Sequence, residues 1–329
     1  MLSSTWQIDS PSTHGLRRDR MFQSILFPID FSDACKATAR YVRELAELTG
    51  GTVTLLHVVP WRPAWYGAAD VYSGGDDHQR VRALKKVQMS ALANLRDEYF
   101  SEIHCQIRIE SGCVAKQIVD YADHSRVDLI MMPTRGTAST GRSLIGPTTA
   151  AVLRDASCAV WTSPHSEKLK PFTGFHSIVC AVAPDAIPGG YVNEITALGA
   201  VFGSTVTFAS AITSANAFGE GCRVLTLEEY PESGLDQLVA GSRCPVYVEV
   251  GPVGHVVRHV AEIQSADLIV LNRRRTPPWF GEFETHAYEI ILESPCPVLS
   301  LPARAAAASI NMSRERYTQE RYAFAEACC

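Results

Sequence analysis

The stretch "DLIMMPTRGTASTGRSLIGPTTAAVL", Asp128 to Leu153, reads as a buried apolar strand, a glycine-bearing loop and then a helix. That order is how a chain builds a cradle for phosphate, because the unpaired N–H groups at a helix start attract anions. Two prolines complicate the reading. Pro133 opens the loop, and Pro147 sits where a donating backbone N–H is most useful.

The stretch recurs further along the chain. "DLIMM" at Asp128 and "DLIVL" at Asp267 lie 139 positions apart, as do Gly112 and Gly251. "SIL" at Ser24 pairs with "SIV" at Ser177, and "TVT" at Thr52 with "TVT" at Thr205, both at an offset of 153. "SCAVW" around Cys158 pairs with "PCPVL" around Cys296 at 138. Constant offsets broken by one deletion indicate two copies of one domain. The copies span 21–165 and 174–302, joined by "SEKLKPFTG", and the second is shortened between its second and third strands.

Each copy alternates strand and helix. In the first, "SILFPI" is a short apolar run, and Ser32 is placed to cap the helix that "GG" at Gly50 ends. "TVTLLHVV" is the next strand, "DDHQRVRALKKVQMSALANLRDEYF" a long amphipathic helix, and "IHCQIRIESG" the third strand. A helix from Cys113, the strand "VDLIMM" and the strand "CAVWTS" complete the unit. Apolar strands separated by helices predict a parallel sheet covered on both faces. The expected architecture is α/β: two tandem doubly wound sandwiches, each with a mostly parallel five-stranded sheet.

Composition narrows the function classes. The chain has 329 residues and a formal net charge of −5, so nothing draws it generally to nucleic acid or an acidic membrane face. No apolar run approaches the roughly 20 residues that span a bilayer. Residues 1–20 are polar without an apolar h-region and are expected to form a disordered leader, whether translation begins at Met1 or at Met21. Residues 303–329 form a tail that begins with an alanine run and ends in Cys328-Cys329. The other eight cysteines are scattered singly, mostly in apolar segments, with no C-x-x-C spacing. They are read mainly as small buried residues, and a cytoplasmic, reducing compartment is expected. No metal-spaced carboxylate set, Walker A sequence, H-E-x-x-H or G-x-S-x-G appears, so no catalytic or metal-ligating residue is assigned.

In a doubly wound sheet, ligands sit outside the carboxyl ends of the strands. In the first copy that edge gathers Asp30 after the first strand, His57 and Val58 at the end of the second, "PTRG" after the fourth, and Gly146 to Thr149 at the last helix start. Together they supply an acceptor for ribose hydroxyls, main chain for a base edge, and N–H groups for phosphate. Singly each has an ordinary alternative. Asp30 can be a turn residue, His57 a satisfied core histidine, and Gly136 only a bend.

These residues resemble the universal stress protein family. The matching features are "ILFPIDFSDACKATARYVRELA", "TVTLLHVV", "ESGCVAKQIVDYADHSRVDLIMM", and Gly136 separated by nine residues from Gly146. The family signature is Gly, two residues, Gly, nine residues, Gly, then Ser or Thr; members that keep it bind ATP. The resemblance implies the family's adenine nucleotide α-hydrolase-like fold, with dimers that often pair through strand five and that tandem members make within one chain. It makes Asp30 the ribose contact, Val58 the residue whose main chain reads adenine, and Gly136 and Gly146 the second and third signature glycines. Thr148 and Thr149 join them as candidate phosphate donors.

Two positions depart from the signature. Pro133 replaces its first glycine and excludes positive φ there. Pro147 is comfortable at the first helical position but removes an N–H, a loss of roughly 1.5–3 kcal/mol against a charged group, or one to two decades in affinity. Thr148 and Thr149, with Arg135, Ser139, Thr140 and Arg142, can offset it.

The second copy departs further. Ala183 stands at the Asp30 position, with Asp185 two residues on, and Ala211 at the Val58 position. Asn272, Arg275 and Glu284 replace the loop residues, although Arg273, Arg274 and Arg275 could hold an anion or simply face solvent. The expectation is a stress-response protein with a regulatory or protective role that binds ATP, with Mg, weakly in the first copy. Any hydrolysis would be slow and incidental. Its expected partners are an adenine nucleotide and unidentified proteins, without nucleic acid or membrane, and its assembly an intramolecular pseudo-dimer able to form a homodimer. The alternative is a non-nucleotide-binding interaction module with a decayed site.

Overall fold

The computed structural model describes residues 21–60, 77–135, 145–164, 172, 174–183, 191–213, 224–225, 244–273 and 283–302. The leader, the tail, Gly136, Ser139, Thr140, Arg142, Asp185, Arg274 and Arg275 lie outside the described residues. The first half runs β1 (Ser24–Pro28), α1 (Asp33–Thr49), β2 (Thr52–Pro60), α2 (Asp77–Tyr99), β3 (Cys105–Gly112), α3 (Val114–His124), β4 (Leu129–Pro133), α4 (Pro147–Asp155) and β5 (Ala159–Ser163). The second runs β6 (Ser177–Val182), α5 (Tyr191–Phe202), β7 (Thr205–Ile212), β8 (Val224–Leu225), β9 (Val246–Val250), α6 (Val253–Ile263), β10 (Leu268–Arg273), α7 (Phe283–Glu293) and β11 (Val298–Pro302).

The described strands join one sheet of eleven, in the order β3-β2-β1-β4-β5-β11-β10-β6-β7-β9-β8. Outward from the β5–β11 seam, the first half runs β5, β4, β1, β2, β3 and the second β11, β10, β6, β7, β9. The pairing is parallel except at the seam and between β8 and β9. Each half thus contributes the expected five-stranded, mostly parallel unit, and the two join through β5 and β11 into one continuous sheet, the strand-five pairing that the resemblance implied. A short antiparallel strand, β8, adds to the outer side of β9.

Alternation along the strands sorts the core into two layers. Phe27, Leu55, Met131, Trp161, Cys180, Phe208 and Val270 point to the α1, α2 and α5 face. Leu26, Leu56, Ile130, Val160, Val179 and Ile269 point to the α3, α4, α6 and α7 face. Helix α1 forms as its sequence predicts: Ser32 accepts the Cys35 N–H, and Gly50 in the left-handed region closes it.

The repeated motifs have structural reasons. Asp128 accepts the backbone N–H groups of Gln23 and Ser24, and Asp267 those of His176 and Ser177, so each "DLI" aspartate pins the start of its half's central strand. Burial pushes the Asp128 carboxyl up, opposed by those two donors. Gly112 and Gly251 take φ of 139° and 156° where β3 and β9 turn into their helices, backbone that a side chain disfavours.

The seam is bound on both faces. At its centre Trp161 faces Leu299, flanked by Val160 with Ser300 and Thr162 with Val298. Trp161 is 1% exposed and belongs to an aromatic cluster with Tyr41, Phe172, Phe175 and Phe202, which bridges the halves and makes it a packing residue. On the other face Arg273, at the end of β10, donates to the carbonyls of Leu153, Ala156 (2.9 Å) and Cys158 (2.8 Å) at the end of α4. Tyr288 of α7 donates to the Ala150 carbonyl. Arg273 is therefore committed to a helix C-terminus, where a cation is favoured, rather than held for an anion or left to solvent.

Candidate functional site

Strand order reverses between β1 and β4, and the crevice beyond their carboxyl ends is where the candidate residues meet. Asp30 follows β1, with Phe31 in the left-handed region at φ 60°. One carboxylate oxygen of Asp30 accepts the Ser32 N–H at 3.0 Å. The residue is thus both the turn former that its sequence position allowed and a partly exposed carboxylate at the crevice.

Val58 owes its place to strand parity. The Leu56 carbonyl accepts the Ile29 N–H at 2.8 Å, so residues 56, 58 and 60 direct their main chain toward β1. β1 ends at Pro28, opposite Leu56. The Val58 N–H and C=O therefore face the space beyond the end of β1, while its side chain is buried. Neighbouring His57 donates from Nδ1 to the Ile29 carbonyl at 2.8 Å and packs on Phe31, which makes it the satisfied histidine and not a ligand.

Gly146 caps α4, and its N–H donates to the Thr134 carbonyl at 2.9 Å, drawing the far end of the loop back onto β4. The Ala150 N–H takes up the Gly146 carbonyl as the first helical bond. With Pro147 lacking an N–H, the backbone donors left in the first turn are those of Thr148 and Thr149. One expectation changes here. The Thr149 hydroxyl donates to the Pro133 carbonyl at 3.1 Å and the residue is 3% exposed, so that hydroxyl is a structural tie. Thr148 is partly exposed, and its hydroxyl stays available beside its N–H. Arg135 is buried at the start of the loop.

Below the crevice the Cys35 thiol donates to the Pro28 carbonyl. Burial, reinforced by the Asp30 charge, pushes its pKa up to about 12, so it is no nucleophile. Cys113 departs from the expected small buried residues: it is disulfide-bonded. Among the described residues there is no cluster of three or more potential metal ligands, and no helix is long and apolar enough to cross a membrane.

The corresponding crevice of the second half, beyond β6 and β10, is built differently. Ala183 is exposed and offers no carboxylate, and the first turn of α7 carries Glu284 in its sequence where the first half has Gly146.

The universal stress protein family model matches residues 21–164, the span that builds the first crevice. Residues 21–164 form a universal stress protein domain. Universal stress protein MJ0531 of Methanocaldococcus jannaschii is 27% identical over 146 residues, covering 43% of this chain and 82% of that protein. Universal stress protein Sll1654 of Synechocystis is 28% identical over 146 residues, covering 44% and 87%. The solved universal stress protein of Archaeoglobus fulgidus superposes with a TM-score of 0.63 at 13% identity, over 85% of this chain and 98% of its own. That of Pseudomonas aeruginosa gives 0.57 at 17%, over 87% and 94%. These two share the α/β fold across both halves of the chain. Another solved universal stress protein is in complex with cAMP, which concerns that protein.

Proposed function

We infer that the first universal stress protein domain binds an adenine nucleotide in the β1/β4 crevice, and that the chain acts as a regulatory or protective stress protein without catalytic turnover of its own. The observation that carries this reading is the Val58 main chain, turned to the space where β1 has ended. A base edge placed there lies on the Asp30 side of the crevice, with the first turn of α4 across the sheet switch for the phosphates. ATP, with Mg on its phosphates, suits the donor set. The second half, with no carboxylate at Ala183, is the degenerate partner.

The second reading, an interaction module with a decayed site, is favoured by one fact. Pro147 removes one donor and Thr134 occupies another, the Gly146 N–H. Denaturing the purified protein and chromatographing any released nucleotide, beside a thermal-shift titration of Mg-ATP, separates the two. Gly146→Ala sharpens the test. Gly146 has φ −62°, and an added Cβ comes no closer than 3.5 Å to its neighbours, so the empty fold tolerates it. A nucleotide approaching the backbone does not. Lost affinity with unchanged stability supports binding; no released nucleotide and no thermal shift leaves the module.

A further inference from the structure

Strand β3 is an outer edge of the sheet. The Val53 N–H donates to the His104 carbonyl, so even-numbered residues of β3 turn their main chain to β2 and Cys105, Ile107, Ile109 and Ser111 turn theirs outward. In the second half the equivalent edge, β9, is covered: β8 pairs antiparallel with Val248 and Glu249. The offset of 139 maps those residues onto Ile109 and Glu110. The fold thus accepts an antiparallel strand at this position, and among the described residues the first half has none there.

The sequence of β3 indicates what fits. About Ile109, reversal exchanges Arg108 with Glu110 and Ile107 with Ser111. Two copies of β3 paired antiparallel about Ile109 bring outward main chains together at 107, 109 and 111. Arg108 of each chain then faces Glu110 of the other in the close, non-hydrogen-bonded positions. Arg108 is exposed, and its guanidinium lies along this edge, donating to the Ile107 carbonyl at 3.0 Å and to Gln106. A charged residue so placed discourages indiscriminate strand addition. A partner carrying a carboxylate in register matches it. Helix α2, which packs over β2 and β3, also leaves Val87 and Met89 exposed.

We propose that β3 is a self-association edge, through which a second copy of this chain extends the sheet across a twofold axis at Ile109. Sedimentation of the full chain over a micromolar dilution series tests it, with circular dichroism confirming that each variant is folded. The expected result is a reversible monomer–dimer equilibrium. Arg108→Glu and Glu110→Arg each weaken it by about tenfold or more, since each places like charges opposite one another twice. The double variant restores it, and Ile109→Pro abolishes it by removing an outward N–H. A monomer at all concentrations, reversals without effect, or a double variant that fails to recover overturns the proposal. So does an Ile109 amide protected from exchange in the dilute monomer, which would mean that the chain covers its own edge.

Discussion

Arg273 holds the Cys158 carbonyl at 2.8 Å, so a side chain from the second half closes the end of a helix whose start faces the crevice of the first. Its planar fork serves carbonyls on both sides of the α4 terminus, with Ala156 at 2.9 Å. Arg273→Met is expected to lower stability by about 1.5–3 kcal/mol, because orphaned carbonyls remain beneath the lost cation. Arg273→Lys should recover only part of this, since a point charge cannot fork. Denaturant unfolding of the three proteins measures both differences.

Trp161 gives a contrast between two substitutions. Trp161→Ala opens a cavity beneath the aromatic cluster and should cost about 3–5 kcal/mol. The Trp161 indole N–H is buried without an acceptor, so Trp161→Phe removes an unsatisfied donor along with volume. We expect that change to fall within about 1.5 kcal/mol of the parent. A Trp161→Phe loss approaching that of Trp161→Ala would disprove the account.

Thr149→Val tests the reassigned hydroxyl. Losing the bond to the Pro133 carbonyl should destabilise by about 1–3 kcal/mol and leave Mg-ATP affinity nearly unchanged. Pro147→Ser should do the reverse, restoring an N–H in the first turn of α4 and tightening Mg-ATP binding by roughly ten- to a hundredfold. Calorimetric titration beside thermal unfolding distinguishes the two variants.

Burial pushes Cys35 and Cys180 up to about 12, from an ordinary value of 9.0. Both folded thiols keep their protons where unfolded ones release them. Their contribution to stability is complete below pH 9 and declines as pH rises toward 12, by up to about 1.4 kcal/mol per pH unit for each thiol. Unfolding curves measured on either side of pH 9 should show that slope, reduced in Cys35→Ala. Neither thiol should react with iodoacetamide at pH 8 until the protein is unfolded.

The repeated offsets made most of the architecture legible, because they record backbone needs that each half must meet. Asp128 and Asp267 each satisfy two N–H groups, and Gly112 and Gly251 each turn a strand into a helix. Asp30, Val58 and Gly146 were placeable at one sheet edge because the ends of β1 and β2 and the start of α4 fix their positions. Arg273 was not, since its partners are carbonyls over a hundred positions away, and no local pattern marks a long-range cap. The tie from Thr149 depends on which way one hydroxyl turns. β8 is two residues long, too short for periodicity to announce.

Trp161 opposite Leu299 carries a historical implication. In an assembly of identical chains, whatever lies on a twofold axis must meet its own image, so a bulky residue there confronts another of the same size. Once both partners are encoded on one chain, that constraint lapses. One side can enlarge while the other shrinks, and the pair evolves as lock and key instead of as mirror images. The same release extends to the crevices, where Asp30 in one half answers to Ala183 in the other and neither need copy its twin.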